Sequence, residues 1–205
     1  MMQSALSVES AALDIAAAGL STSGYAVLSI AIDHELLLVL RTEGFSHRDA
    51  LLPAATGRGD GKHTSRQRGD STLWLDDAAC GDASRRFLAG LEDLRRQLTG
   101  RLMLGINEVE AHYALYPPGA GYARHRDRFR DDDARVLSLV CYLNNDWLAE
   151  SGGALRLHLP DGAIDILPCI GTMVIFLSAE IEHEVLAATR ERLSIAAWFR
   201  RRDDA

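Results

Sequence analysis

Residues 102–127 read LMLGINEVEAHYALYPPGAGYARHRD, and across them the chain changes period. Upstream, Phe87, Leu88, Leu91, Leu94 and Leu98 fall on one face of a helix that Asp82 is placed to cap. From Gly100 onward the apolar residues alternate, which is the side-chain period of a strand. Strands are predicted at 102–106, 109–116, 122–127, 136–143, 154–159, 163–167, 172–177, 183–186 and 193–199. Pro117-Pro118-Gly119, Gly152-Gly153, Pro160-Asp161-Gly162 and Gly171 supply turn chemistry between them. Short strands at such regular spacing predict a sandwich or a double-sheet barrel.

Ahead of this core the chain is mixed. A helix is expected over 9–19, a strand over 24–30, and a second helix capped by Asp33 that ends at Glu43-Gly44. Residues 53–69 are rich in glycine and bases without apolar periodicity, and a loop longer than about 12–15 residues usually has a function. Helices on one side of such a sheet make an α+β domain. The whole chain, 1–205, is expected to form one unit, with 1–99 as helical support and substrate loop and 100–199 as the core. Trp74 and Trp147 read as packing residues.

The 205 residues are 47% apolar and 25% charged, ordinary for a globular protein and far from disordered, collagen-like or coiled-coil compositions. A formal charge of −7 weighs against a nucleic-acid partner, and the one dense basic run, Arg200-Arg201-Arg202, is followed by Asp203-Asp204. Three cysteines, Cys80, Cys141 and Cys169, show no paired spacing and suit a reducing cytoplasm, the expected location. No basic residue precedes the first apolar stretch, so no secretory signal is expected. Runs such as Leu36 to Leu40 fall far short of the ~20 residues of a membrane span, so no membrane partner is expected either.

His-x-Asp occurs twice. In the first copy, His47 and Asp49 follow a helix, where their side chains splay. In the second, His125 and Asp127 fall in a strand pattern and share a face, so an imidazole and a carboxylate can meet one ion. Downstream, His183 opens another short strand, and Arg192 opens the last, sharing its face with Ser194, Ala196 and Trp198. Two histidines and one carboxylate form the facial triad of non-haem Fe(II) oxygenases, with open positions for cosubstrate and O₂. A guanidinium on a nearby strand could hold the distal carboxylate of a diacid, which would otherwise be buried unpaired.

These residues carry a resemblance. The segments Tyr113-Ala114-Leu115-Tyr116, Gly121-Tyr122-Ala123-Arg124-His125-Arg126-Asp127, Cys141-Tyr142-Leu143-Asn144-Asn145-Asp146-Trp147, Ser151-Gly152-Gly153, His183-Glu184-Val185 and Arg192-x-x-Ile195-x-x-Trp198 resemble the 2-oxoglutarate- and Fe(II)-dependent prolyl 4-hydroxylases. Within that family the prolyl-hydroxylase-domain (EGLN-like) branch and its bacterial homologues are most similar, and Arg68-Gly69-Asp70-x-x-x-Trp74 extends the match upstream. The resemblance covers about residues 66–199.

It implies a double-stranded β-helix, or jelly roll, with iron at the barrel mouth. His125, Asp127 and His183 would ligate the iron. Arg192 would pair the distal carboxylate of 2-oxoglutarate with Tyr142 as second anchor, and Tyr116 would bond near its chelating end. Read as residues alone, the two tyrosines are equally core side chains with satisfied hydroxyls. Tyr122 and Trp198 would line the substrate proline. Arg68 and Asp70 would sit in a loop closing over a peptide, with Asp70 opposite Arg135. Where animal relatives carry a hydroxyl residue this chain has Ala196, and 57–67 has no clear counterpart.

The implied reaction is C4 hydroxylation of a prolyl residue in a protein loop, a translation factor being one such partner. It would use Fe(II), 2-oxoglutarate and O₂, release succinate and CO₂, and draw on ascorbate as reductant. Three other readings compete: a same-fold hydroxylase of a free amino acid or other small molecule, a nucleic-acid demethylase, and a non-catalytic module sensing metal or 2-oxoglutarate.

Overall fold

In a computed structural model of the chain, residues 10–29, 32–54, 68–127 and 134–201 are described. The predicted loop segment 57–67 and the aspartates at 131–133 lie outside them. Helices α1 (Ser10–Ser23), α2 (His34–Ser46) and α3 (Asp82–Leu102) support two antiparallel sheets. The larger sheet runs β1 (Tyr25–Ser29), β9 (Thr172–Leu177), β6 (Arg135–Tyr142), β11 (Arg192–Arg200), β4 (Glu108–Tyr116), β3 (Ser71–Trp74) and β2 (Leu52–Pro53). The smaller runs β5 (Tyr122–His125), β10 (Glu182–Val185), β7 (Leu155–Leu159) and β8 (Gly162–Ile166). Sequence-distant strands lie side by side in both sheets, the wound topology of a double-stranded β-helix.

Period-two alternation divides the interior into two cores. Leu193, Ile195, Ala197 and Phe199 of β11 are buried on the helix side, where they share one cluster with Phe87, Leu91, Leu94 and Leu98 of α3. The opposite face looks into the barrel. There Tyr142, Val174 and Phe176 of the large sheet pack against Leu155 and Leu157 of the small one. Buried His183 and Arg192 belong to the barrel side, whereas the helix-side core admits a carboxylate only at Glu43, which accepts hydrogen bonds from the Ser84 and Tyr113 hydroxyls.

Several local expectations need correction. Asp82 opens α3, but Gly81 is the N-cap residue and no side chain caps the helix. Asp33 does cap α2, accepting the Glu35 N–H at 3.1 Å. That helix runs on through Gly44 to Ser46. Gly44 is a contact residue: a Cβ there would stand 2.9 Å from Leu193 Cδ2 and 3.0 Å from Tyr113 Cδ1.

No strand forms over 102–106. Helix α3 continues to Leu102, and Met103, at φ 50°, sends its N–H to the Thr99 carbonyl. The Ile106 carbonyl is then taken by Arg95 and Thr99 side chains, so the helix end satisfies backbone that a sheet would otherwise pair. The alternating Leu102, Leu104 and Ile106 pack under the helix instead. Strand β5 stops at His125, leaving Asp127 just beyond it. Pro53, expected to begin a loop, lies in β2, and Ala54 bonds the Asp70 carbonyl at 2.9 Å. Trp147 is buried, its Nε1 donating to the Gly152 carbonyl, whereas Trp74 is 43% exposed.

Leu91 carries no polar group and is fully buried in the helix-side cluster. Leu91→Ala should lower unfolding free energy by about 2–5 kcal/mol. Urea denaturation followed by circular dichroism measures this, and the variant should still bind metal at the wild-type stoichiometry.

Candidate metal and cosubstrate site

Strand pairing brings the histidines together: His125, the last residue of β5, lies directly across from His183 on β10. Each Nδ1 faces a carbonyl, Ala123 at 2.7 Å and Ile181 at 3.2 Å. A carbonyl only accepts, so both Nδ1 atoms carry the proton and both Nε2 atoms offer a lone pair. Asp127 completes the set, Oδ1 standing 3.5 Å from His125 Nε2 and Oδ2 3.7 Å from His183 Nε2. One ligand atom from each residue lies within 4.8 Å of the others, the only such cluster of three among the described residues. Donors about 2.0–2.2 Å from a shared ion stand roughly 3 to 4.4 Å apart, a span that includes the 3.5 and 3.7 Å separations.

Electrostatics agrees with that role. Burial pushes the His183 imidazole below its usual value, keeping it in the neutral form a metal needs. Burial would raise the Asp127 carboxyl, but the positive charge that either imidazole would carry beside it and the Ser138 hydrogen bond outweigh this and hold the group well below the ordinary range, and a cation shared by neutral imidazoles acts in the same direction. The carboxylate is also oriented. Ser138 Oγ donates to Oδ2 at 2.6 Å and Trp198 Nε1 donates to the same atom at 2.9 Å. Ser178 Oγ lies 2.8 Å behind Ser138 and donates to it, since the Ser138 proton is already given to Asp127.

Arg192 begins β11 with its side chain buried inside the barrel. Its Nε donates to the Gly153 carbonyl at 2.9 Å and its Nη1 to Ser194 Oγ at 3.3 Å. The guanidinium carbon lies 5.2 Å from the Tyr116 ring centre and 5.1 Å from that of Tyr142. Its Nη2 and the Tyr142 hydroxyl, however, are buried with no hydrogen-bond partner among the described residues. Burial pushes the phenol up to about 12, so it remains a donor. Two orphaned donors beside one guanidinium fit a carboxylate, and a buried cation without one costs several kcal/mol. Gly153 makes room for this arrangement: at φ 71°, a Cβ would stand 3.0 Å from Trp147 and 3.4 Å from Arg192 Cδ. Arg192 and Trp198 bracket the same face of β11, about 20 Å apart along the strand, with Ser194 and Ala196 between them.

The remaining expected residues gather around the triad, with one correction. Tyr122 stacks on His125 with ring centres 3.6 Å apart, and Arg68 covers the Tyr122 ring at 5.1 Å. Asp70 does not take Arg135 as the partner of its ion pair. Arg68, two residues away and itself largely buried, donates to Asp70 through Nε at 2.7 Å and Nη2 at 2.9 Å. Arg135 pairs with Glu110 at 2.9 Å and lies 3.8 Å over the Trp198 ring. His47 and Asp49 stay outside the cluster, at the end of α2 and in the 3-10 turn after it.

Three further residues escaped the sequence reading. Ser138 and Ser178 are buried hydroxyls, and period two within the apolar β6 already put Ser138 on the inner face. His112 is buried between Trp74 and Trp198, 5.2 Å from each ring. Burial and Arg68 push it down to about 4, so it is neutral, and its Nε2 meets Arg68 Nη2 at 3.4 Å.

Comparison with known proteins places this geometry. The family model of the 2OG-Fe(II) oxygenase superfamily matches residues 111–200, which include all three triad residues and Arg192. A crystal structure of a Pseudomonas putida prolyl-4-hydroxylase is 41% identical, with TM-score 0.84 over 93% of this chain and 99% of that one. A prolyl hydroxylase from Trichoplax adhaerens, bound to a peptide of hypoxia inducible factor, is 24% identical with TM-score 0.81 over 92% of this chain and 88% of that one, a likeness of fold. Among curated proteins, Egl nine homolog 1 of Rattus norvegicus is 35% identical over 141 residues, which is 64% of this chain but 41% of that protein. The chain thus spans about two fifths of that relative's length.

Asp127→Ala should abolish binding of one equivalent of Fe(II) or Co(II). Ser138→Ala, which leaves the ligands but frees Oδ2, should weaken it roughly 10–100-fold. Competition against a chromophoric chelator reads both, and unchanged affinity in Asp127→Ala would remove the carboxylate from the site.

Proposed function

The chain belongs to the 2OG-Fe(II) oxygenase superfamily, and from that premise we propose that it is a prolyl 4-hydroxylase acting on a proline in a loop of another protein. The observation that carries this reading is the pair of orphaned donors, Arg192 Nη2 and the Tyr142 hydroxyl, buried in the same barrel as the His125–Asp127–His183 cluster. The donor set fits iron(II), and the orphaned pair fits the distal carboxylate of 2-oxoglutarate. Together with O₂ these supply the oxidising power to hydroxylate a C–H bond, releasing succinate and CO₂.

The chain's own residues do the rest. Arg192 and Tyr142 fix one end of the diacid, and Gly153 leaves the guanidinium its place. Ser138 and Trp198 hold Asp127 Oδ2, which would leave Oδ1 to ligate the metal. Apolar walls from Leu155, Leu157, Val174 and Phe176 keep bulk water from the pocket. At the mouth, Tyr122 is the aromatic side chain suited to a pyrrolidine ring, with Arg68 over it, whereas Trp198, expected beside it, is buried under Arg135 and acts on Asp127 instead. Tyr116, beside Arg192, completes the cosubstrate wall. Likeness to the Pseudomonas putida enzyme over nearly all of both chains supports a protein-bound proline over a free amino acid. Ascorbate as reductant, a translation factor as substrate and a cytoplasmic location belong to the same proposal.

Two outcomes test it. Arg192→Ala should cost about 3–5 kcal/mol of 2-oxoglutarate binding while metal affinity holds, and an unchanged dissociation constant would misplace the anchor. Incubation of the iron-loaded enzyme with cell lysate and 2-oxoglutarate should add one oxygen to a proline in a protein, located by peptide mass spectrometry. Oxygen transfer to free proline alone would overturn the choice of substrate class.

A further inference from the structure

Strand β3 ends before β4 does. The last bond between them runs from the Leu75 N–H to the Ala111 carbonyl at 3.0 Å, and the chain then turns away through Asp76 and Asp77. That turn is closed by the Asp77 N–H to the Trp74 carbonyl at 3.2 Å. Strand β4 continues to Glu108, paired with β11 on its other side throughout. Backbone groups two residues apart on a strand point the same way, so the N–H and C=O of Val109 point, like those of Ala111, into the place β3 has left. A cavity of about 640 Å³ occupies that place.

Its walls are of two kinds. Leu88, Val109 and Ala111 make an apolar side against α3. Trp74, 43% exposed, and the exposed carboxylates of Asp76 and Asp77 make the other. Glu110 also lines it but is already matched by Arg135 and Arg200. Asp76 and Asp77 have no cation among the described residues, and Asp77 Oδ1 accepts only the Ala79 N–H, at 2.8 Å.

We propose that this groove is a second binding site, which docks an extended protein segment of alternating basic and apolar residues by adding it as a strand to the free edge of β4. A backbone is the chemistry that answers an N–H and a C=O side by side. An apolar residue opposite Val109 packs beside Leu88. Its basic neighbours lie against the Trp74 indole and pair with Asp76 and Asp77. The carboxylates turn away phosphate-bearing partners, and the formal charge of −7 draws basic segments in. The groove lies apart from the three metal-ligand side chains and needs no iron to bind.

The test uses the full chain without metal and a capped hexapeptide of alternating lysine and valine. Calorimetry and tryptophan emission report binding, with Trp74 the most exposed of the three tryptophans. Saturable one-to-one binding that shifts the emission is expected. Asp76→Asn with Asp77→Asn should weaken it about tenfold. N-methylation of the central valine should weaken it by at least as much, since it removes a strand bond without touching charge. A glutamate–valine peptide should not bind. Absence of saturable binding to the parent peptide would overturn the proposal. So would equal affinity for the N-methylated peptide, which leaves only surface charge, or a concentration-dependent dimer that the peptide dissociates, which assigns the groove to a second copy of the chain. Wild-type melting temperature in the double asparagine variant separates lost binding from lost fold.

Discussion

A carboxylate taken out of water must be met on every side, and the environment of Asp127 is built to do so. Ser138 from β6 and Trp198 from β11 approach from the large sheet, His125 from β5 and His183 from β10 approach from the small one. Ser138 and Trp198 donate to the buried charge directly, and the two imidazoles meet it through a shared cation. The same convergence ties the two sheets together at their mouth and sets the distances between the ligand atoms. The ligand atoms are therefore positioned by both sheets together.

Deeper in the barrel the problem is reversed. Arg192 is a buried cation whose local partners, the Gly153 carbonyl and Ser194 hydroxyl, are neutral. The Tyr116 and Tyr142 rings attract it through their faces but supply no formal counter-charge. A folded chain tolerates such an imbalance where a ligand cancels it, which is why the unmet hydrogen-bonding capacity of Arg192 and Tyr142 says more about chemistry than the bonds already made.

Much of this was legible in the sequence because it follows from period and residue type. His125 and Asp127 stand two apart, and Arg192, Ser194 and Trp198 share a face, so their directions could be read before any pairing was known. Long-range pairing could not. Alternation at Leu102, Leu104 and Ile106 looked like a strand, yet the end of α3 satisfied that backbone first. Arg135 looked available to Asp70, but Glu110 claims it across the barrel wall and Arg68 reaches Asp70 from two residues away. His112 carried no signal as a single histidine. Only the register that sets it between Trp74 and Trp198 shows why an uncharged ring belongs there.

The bond from the Ala54 N–H to the Asp70 carbonyl pins together the two ends of the segment between them. Arg68 and Gly69 are tied independently to β5, through the Arg68–Tyr122 bridge and the Gly69 N–H to the Gly121 carbonyl. The place of the ring stacked on His125 is therefore fixed by main-chain bonds, which do not depend on the identity of the side chains along them.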